Sequence, residues 1–192
     1  MKETILIFVI IIFIYIFLFL NSNNVSYIKA NNGSRFLIHK DNDKQLKANL
    51  LEKVVNNLYL LKDHMVSNIK KFPEYEEYIN QLSTQFNKNR TIIYETDPSS
   101  NLTSYSINKG EEISFCLRSK KTQQLHDINL IMYVAIHELS HIACPVIGHG
   151  PIFKKIFKKF LEEAILLGIY KQVNYSINPI EYCGMMLTSS II

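Results

Sequence analysis

The stretch that decides the fold of this chain is His137-Glu138-Leu139-Ser140-His141, which is followed by Gly148-His149-Gly150. In a helix, residues four apart lie on one face, so the side chains of His137 and His141 can point at a single metal ion. Glu138 follows the first histidine directly, which would place its carboxylate beside that ion and leave it free to accept a proton. This H-E-x-x-H spacing predicts a zinc site with two histidine ligands and Glu138 as general acid and base.

The residues around the motif predict the helix that it needs. Asp127 suits an N-cap, apolar residues recur at helical spacing, and Pro145 ends the pattern, so a buried helix is expected from about Asp127 to Ala143. The loop that follows is long enough to bring His149 to the same ion as a third ligand. Three protein ligands leave the fourth zinc position for water, as in catalytic sites. The sequence therefore predicts hydrolysis of peptide bonds in a protein or peptide substrate.

Two other patterns for the third ligand are less favoured. Glu162 and Glu163 lie in the following helix, where thermolysin-like peptidases place a glutamate ligand, but solvated helix carboxylates are the simpler interpretation. The metzincin pattern requires a glycine and a histidine where this chain has Cys144 and Ile147. His149 therefore remains the predicted third ligand.

The H-E-L-S-H motif, the short loop, Gly148-His149-Gly150-Pro151 and the helical Phe153 together resemble the WLM and SprT-like zinc metallopeptidases. The resemblance spans roughly residues 91–169 and looks strongest with virus-encoded WLM-type proteins, which carry a β-hairpin and an Asp-x-Asn segment before the active-site helix. The matching residues here are 104–117 and Asp127-Ile128-Asn129. The resemblance implies an α+β fold, in which a minimal zincin-like domain packs a small β-sheet on the active-site helix, with His149 as the third ligand.

An uncharged apolar run from Ile5 to Leu20 is the strongest feature outside the site. As a helix it would be roughly 24 Å long, which approaches the ~30 Å of a bilayer core, and apolar residues would surround it on every side. No convincing signal-peptide cleavage site follows it. We therefore predict that residues 1–21 form a single-pass N-terminal membrane anchor, and the sequence leaves open which side the domain faces.

The rest of the chain divides into a linker and one domain. Residues 22–42 are polar and lack periodicity, which predicts a linker, and residues 43–192 are long enough to bury a core as one metallopeptidase domain. Within it the patterns predict these elements: a long amphipathic helix ending near Pro73, a helix from Glu74 to Phe86, a strand at 91–95, a hairpin around Asn108-Lys109-Gly110, and a helix from Pro151 to Gly168.

The sequence supports weaker predictions for the other histidines, the cysteines and three tyrosines. The histidines outside the motif are expected at the surface: His39, His64 and His126. The three cysteines lack a C-x-x-C spacing and suggest no obvious disulfide scaffold: Cys116, Cys144 and Cys183. Three tyrosines downstream could stabilise an oxyanion, and the sequence does not choose among them: Tyr170, Tyr175 and Tyr182.

Lysines 154, 155, 158 and 159 cluster on one side of the last predicted helix and could meet nucleic acid or an anionic membrane. The formal net charge of +4 is small, so a solvated face is the preferred interpretation.

Two alternative functions stay open: a catalytically silent, zinc-stabilised binding module at a membrane, and a DNA-associated peptidase acting on protein crosslinks. Glu138 favours the enzyme. The sequence thus predicts a membrane-anchored zinc metallopeptidase and leaves its oligomeric state open.

Overall fold

Helices and two small sheets make up the described part of the chain, which in this computed structural model comprises residues 2–21 and 24–192, with side chains described for 7–17 and 24–192. The helices are α1 Lys2–Asn21, α2 Lys44–Ser67, α3 Glu76–Gln85, α4 Ile128–Ala143 and α5 Pro151–Leu166. The strands are β1 Val25–Lys29, β2 Arg35–His39, β3 Ile92–Glu95, β4 Tyr105–Ile107, β5 Glu112–Phe115, β6 Ile180–Tyr182 and β7 Met185–Leu187. The fold is mixed α+β, as predicted.

The larger sheet has five strands in the order β1-β2-β3-β5-β4. Strand β3 is parallel to both β2 and β5, whereas β1 with β2 and β4 with β5 form antiparallel pairs. The predicted hairpin is therefore present, and β4 lies at one edge of the sheet. Strands β1 and β2 lie within residues 22–42, the stretch predicted as a linker from its polar composition. Because both strands belong to the sheet, that stretch is part of the folded domain.

Helix α4 forms the centre of the core because it is apolar on nearly every side. Its buried residues include Ile131, Ala135, Leu139 and Ile142, and it contacts α2, α3, α5 and strands β4 and β5. The Asp127 side chain accepts a hydrogen bond from the Asn129 backbone N–H at 2.8 Å, which caps the helix as the sequence predicted. A helix so enclosed is a rigid support for the side chains at its C-terminal end.

Helix α2 is joined to the sheet by ion pairs and a hydrogen bond of the buried Lys47. The fully buried Lys47 ammonium lies 2.8 Å from carboxylate oxygens of both Asp41 and Glu95, and it also donates to the His39 carbonyl oxygen at 3.1 Å. A buried charge is tolerated where ion pairs and hydrogen bonds satisfy it. Lys47 thus joins α2 to the ends of β2 and β3.

The prediction of a membrane anchor at residues 1–21 is wrong. Within the described parts of the chain, no helix combines the length and the apolar character needed to cross a bilayer. The membrane localisation predicted from the apolar run is therefore withdrawn.

The C-terminal hairpin β6–β7 is bonded to the sheet by a disulfide between Cys116 and Cys183. The sequence spacing of the cysteines gave no sign of this pair. Cys144 is free and buried at the C-cap of α4. The disulfide places the hairpin beside the end of β5, on the same side of the molecule as the histidine motif.

Candidate metal centre

The three histidines of the motif converge on one point. His137 and His141 project from adjacent turns of α4, and His149 reaches them from the loop between α4 and α5. The Nε2 atoms lie 3.1 Å apart for His137 and His141, 3.0 Å for His141 and His149, and 3.0 Å for His149 and His137. The structure therefore brings together all three residues that the sequence predicted as ligands.

The chemistry of this donor set fits a divalent metal ion. Three nitrogen atoms at such equal separations can all be reached by one ion at the Zn–N distance of about 2.1 Å. Burial, together with the neighbouring histidines, lowers the pKa of His137 to about 3. The pKa of His141 falls to about 4, chiefly through burial and with contributions from His149 and Lys109. Both rings are thus neutral near pH 7, which is the form that binds metals.

Phe153 in α5 packs against all three histidine rings. Its ring stacks on His141 with centroids 4.2 Å apart, and it meets His137 and His149 edge-on at 4.9 and 4.8 Å. Phe153 is almost completely buried. Phe153 therefore restricts the orientation of all three imidazoles, and Phe157 adds a second contact to His137.

Glu138 lies beside the histidines with its carboxyl group almost completely buried. Burial raises its pKa to about 7, although a hydrogen bond with Ser106 of strand β4 opposes that rise. Glu138 lines the same cavity as the three histidines. The carboxyl group is therefore placed to exchange a proton with a molecule bound there.

The cavity at this centre has a volume of about 830 Å³. Its floor is α4 and its rims are strand β4, the loop around Ile147 and the hairpin β6–β7. Cavities of 300–1,000 Å³ are typical of sites that bind small molecules. The cavity is therefore large enough to hold a ligand beside the histidines.

Of the three candidate tyrosines, Tyr182 is the one that lines the cavity. Its hydroxyl lies 2.6 Å from Ser104 Oγ, and burial raises the pKa of the phenol. Tyr170 and Tyr175 lie in the core, in ring contact with Tyr133. Sequence reasoning could not select Tyr182, because its position depends on the disulfide formed by the next residue.

Lys109 is a cavity residue that sequence reasoning did not consider. It lies in the β4–β5 turn with φ +55°, and its ammonium donates to the backbone carbonyls of His141 and Cys144. Arg90 holds the same turn by donating to the carbonyls of Asn108 and Lys109. The turn is thereby fixed against the C-terminal end of α4.

The remaining histidines lie outside the centre. The prediction of a surface position is wrong for His126, which is buried and accepts a hydrogen bond from the Cys183 backbone N–H at 3.2 Å. His64 is partly buried and pairs with Glu163 at 2.8 Å. Glu163 is buried and also bonds Lys159 at 2.6 Å, so it is neither the solvated carboxylate expected nor a third metal ligand.

Comparisons with known proteins give viral relatives. No family model matches the sequence. "Uncharacterized protein R325" of Acanthamoeba polyphaga mimivirus is 40% identical over 168 residues, which cover 87% of this chain and 84% of that protein. "Uncharacterized protein 136R" of Invertebrate iridescent virus 6 is 35% identical over 86 residues, which cover 44% of this chain and 48% of that protein.

Among solved structures, the chain is similar in part to Wss1 proteins. The crystal structure of Wss1 from Saccharomyces cerevisiae aligns with 48% of this chain and 75% of its own at 20% identity and a TM-score of 0.38. A Wss1 mutant from S. pombe aligns with 49% of this chain and 85% of its own at 20% identity and a TM-score of 0.35. Both likenesses cover about half of the present chain.

Proposed function

Since this chain belongs to the same family as the mimivirus protein, we propose a function for it from its own site: a zinc-dependent metallopeptidase that hydrolyses peptide bonds. One observation carries the proposal. A buried carboxyl group, Glu138, stands directly beside three converging imidazole nitrogens in an open cavity. A purely structural zinc site is normally closed by four protein ligands, whereas three histidines form the cluster here.

The proposed ligands are His137, His141 and His149. A zinc ion bound there would polarise the peptide carbonyl and make water a better nucleophile. Glu138 would accept a proton from the attacking water and pass it to the leaving amine. Ser106 of β4 lines the same cavity and is close enough to Glu138 to lower the pKa of its carboxyl group.

Strand β4 is the proposed holder of the substrate backbone. It is an edge strand of the five-stranded sheet, and its residues Tyr105 and Ser106 line the cavity. An extended peptide can add to such an edge through backbone hydrogen bonds. The scissile bond would then run past the histidines along the length of the cavity.

The test uses the full chain, with zinc content measured by elemental analysis and cleavage measured on casein. We expect one equivalent of zinc and measurable cleavage. Glu138→Gln should keep the zinc and lose at least ~100-fold in activity, since general acid–base catalysis contributes on the order of 10²–10⁴-fold. His149→Ala should lose zinc, and His39→Ala, outside the centre, should change neither.

Two results would argue against the proposal in different ways. Zinc binding without cleavage of any peptide would favour a catalytically silent, zinc-stabilised binding module. Cleavage that persists in Glu138→Gln would show that the hydrolysis arises elsewhere.

A further inference from the structure

One side of the cavity is built of apolar side chains that have no part in the proposed chemistry. They come from three places: helix α4, the loop that carries His149, and the C-terminal hairpin. Their members are Tyr133 and Val134, Val146 and Ile147, and Met185 and Leu187. The polar cavity residues lie mainly on the β4 rim, as Thr103, Ser104, Ser106 and Asn108.

Several of these apolar side chains are open to solvent. Ile147 is 96% exposed, Met185 49% and Val146 44%. Large apolar groups that line one cavity lose contact with water when a ligand fills it. The loop and the hairpin therefore favour an apolar group as occupant of the cavity.

The charges around the cavity support the same conclusion. Among the residues that line the cavity, Lys109 carries the one charged side chain besides Glu138 and the histidines. Its ammonium already donates to the backbone carbonyls of His141 and Cys144. It is thus engaged in holding the β4–β5 turn, and an acidic side chain of a ligand would find no unengaged cation among the lining residues.

The hairpin wall is held rigidly in place. Cys183 is bonded to Cys116, and its backbone N–H donates to His126 Nε2 at 3.2 Å. The Tyr182 hydroxyl lies 2.6 Å from Ser104 Oγ, which in turn accepts a hydrogen bond from the Cys116 backbone N–H at 3.1 Å. Three contacts made by two successive residues, Tyr182 and Cys183, thus fix the hairpin against the sheet.

The geometry of the hairpin directs alternate side chains in opposite directions. In strand β7, Met185 and Leu187 point to one face and Met186 to the other. The first two line the cavity, and Met186 is exposed outside it. The strand therefore offers a matched pair of neighbouring methionines, one inside the cavity and one outside.

We propose that the cavity contains a specificity subsite, in which the β6–β7 hairpin and the Val146–Ile147 loop bind one large uncharged apolar side chain of the peptide next to the bond that is cut. This rests on the proposed peptidase function and adds its substrate class: extended peptides with a leucine-, methionine- or phenylalanine-like residue at that position. A peptide whose leucine is buried in this subsite should bind ~10-fold more tightly than the same peptide with alanine there. That gain corresponds to only about 1.4 kcal/mol.

The test measures binding apart from cleavage. Fluorescein-labelled hexapeptides, in which one leucine is moved through each position of an alanine and serine background, are titrated into the zinc-loaded full chain carrying Glu138→Gln. We expect one leucine position to tighten binding by ~10-fold over alanine, and aspartate there to bind no better than alanine. Equal binding of the leucine and alanine peptides at every position would overturn the proposal.

Variants then locate the subsite. Met185→Ser should reduce the leucine preference to below ~3-fold, while Met186→Ser should leave it unchanged. Ile147→Ser, in the loop rather than the hairpin, should reduce the leucine preference in the same way, and it controls for a local misfolding of the hairpin. A preference that survives both Met185→Ser and Ile147→Ser would place the subsite elsewhere and refute this assignment.

The same peptides separate the two proposals. If the preference is present but the unmutated protein cuts none of the peptides, the subsite stands and the peptidase function fails. If the protein cuts peptides without regard to apolar residues, the function stands and the subsite fails.

Discussion

Cys116, just after strand β5, is bonded to Cys183, in the turn of the β6–β7 hairpin, although 67 positions separate the two residues in the chain. The bond closes a long loop that contains α4, the metal centre and α5. A cross-link over such a loop removes much conformational freedom from the unfolded chain. It also fixes the position of Tyr182, which shares the cavity with Glu138.

Replacing both cysteines by alanine should therefore destabilise the fold. We expect the free energy of unfolding in urea to fall by about 2–4 kcal/mol. The control is the reductant TCEP, which should destabilise the unmutated protein by a similar amount and leave the double variant unchanged. Equal stability of the two oxidised proteins would show that the bond does not contribute to the folded state.

Gly110→Ala should destabilise the β4–β5 turn. Gly110 has φ +90°, and an added Cβ would lie 2.7 Å from Ile142 Cδ1 in the core. The matched control is Gly168→Ala, where φ is +69° and an added Cβ meets no atom within 4 Å. We expect Gly168→Ala to cost about 1–2 kcal/mol for the left-handed backbone alone, and Gly110→Ala at least ~1 kcal/mol more for the overlap. Thermal unfolding of both variants measures the difference, and equal costs would contradict the close packing of the turn on α4.

Phe153→Leu should weaken metal binding, and by more than the accompanying loss of folding stability can explain. Its ring contacts the imidazoles of His137, His141 and His149, and a leucine would leave their orientation less restricted. We expect zinc affinity to fall by ~10-fold, in the range found when groups that orient metal ligands are removed. Competition with a chromophoric chelator measures the affinity.

The control for this experiment is Phe160→Leu, a fully buried position in the same helix. It should reduce stability by a similar amount while zinc affinity stays unchanged. If the two variants bind zinc equally well, the contact of Phe153 with the imidazoles has no bearing on the metal.

Stability should depend on pH through Glu163. Burial opposes ionisation of this group, but hydrogen bonds from Lys159 and His64 outweigh it, so its pKa lies below the ordinary value of 4.5. A carboxyl group whose pKa is lowered by folding stabilises the fold fully above its unfolded pKa, and that contribution is lost as the pH falls through the folded value. Glu163→Gln should therefore cost about 1–3 kcal/mol at pH 7, and this cost should shrink once the pH falls below about 4.5.

Urea unfolding at a series of pH values measures this cost. The control is Glu162→Gln, an exposed neighbour in the same helix, which should have little effect at any pH. A cost of Glu163→Gln that stays constant down to pH 3 would mean that the ionised carboxylate does not stabilise the fold.

The sequence predicted the parts of the fold that depend on local patterns. The cap at Asp127, the extent of α4 and the turn at Asn108-Lys109-Gly110 follow from residue types within one or two helical turns. The convergence of His137 and His141 follows from the helix period in the same way. Their role as metal ligands, and the limits of the catalytic domain, stay predictions.

The features that the sequence did not predict depend on contacts between distant residues. Strands β1 and β2 are only five residues long each. Their place in the sheet depends on the pairing of β1 with β2 and of β2 with β3, and on the buried Lys47 that joins the ends of β2 and β3. The bond between Cys116 and Cys183, and the burial of His126 beneath it, arise only once the hairpin has packed on the sheet. The prediction of a membrane anchor rested on the composition of residues 5–20 alone, and within the described residues no helix is both long and apolar enough to cross a bilayer.

The wall formed by Met185 and Leu187 has a consequence for the timing of biosynthesis. A ribosome adds residues from the N-terminus at roughly 5–20 per second, so a nascent chain exposes the histidine motif before it contains the hairpin. The cavity is complete only when the hairpin has docked and Cys183 has joined Cys116. A polypeptide still being translated would therefore carry the three histidines without the apolar wall beside them. If the proposed peptidase function holds, the order of the chain itself would delay activity until translation has passed the hairpin.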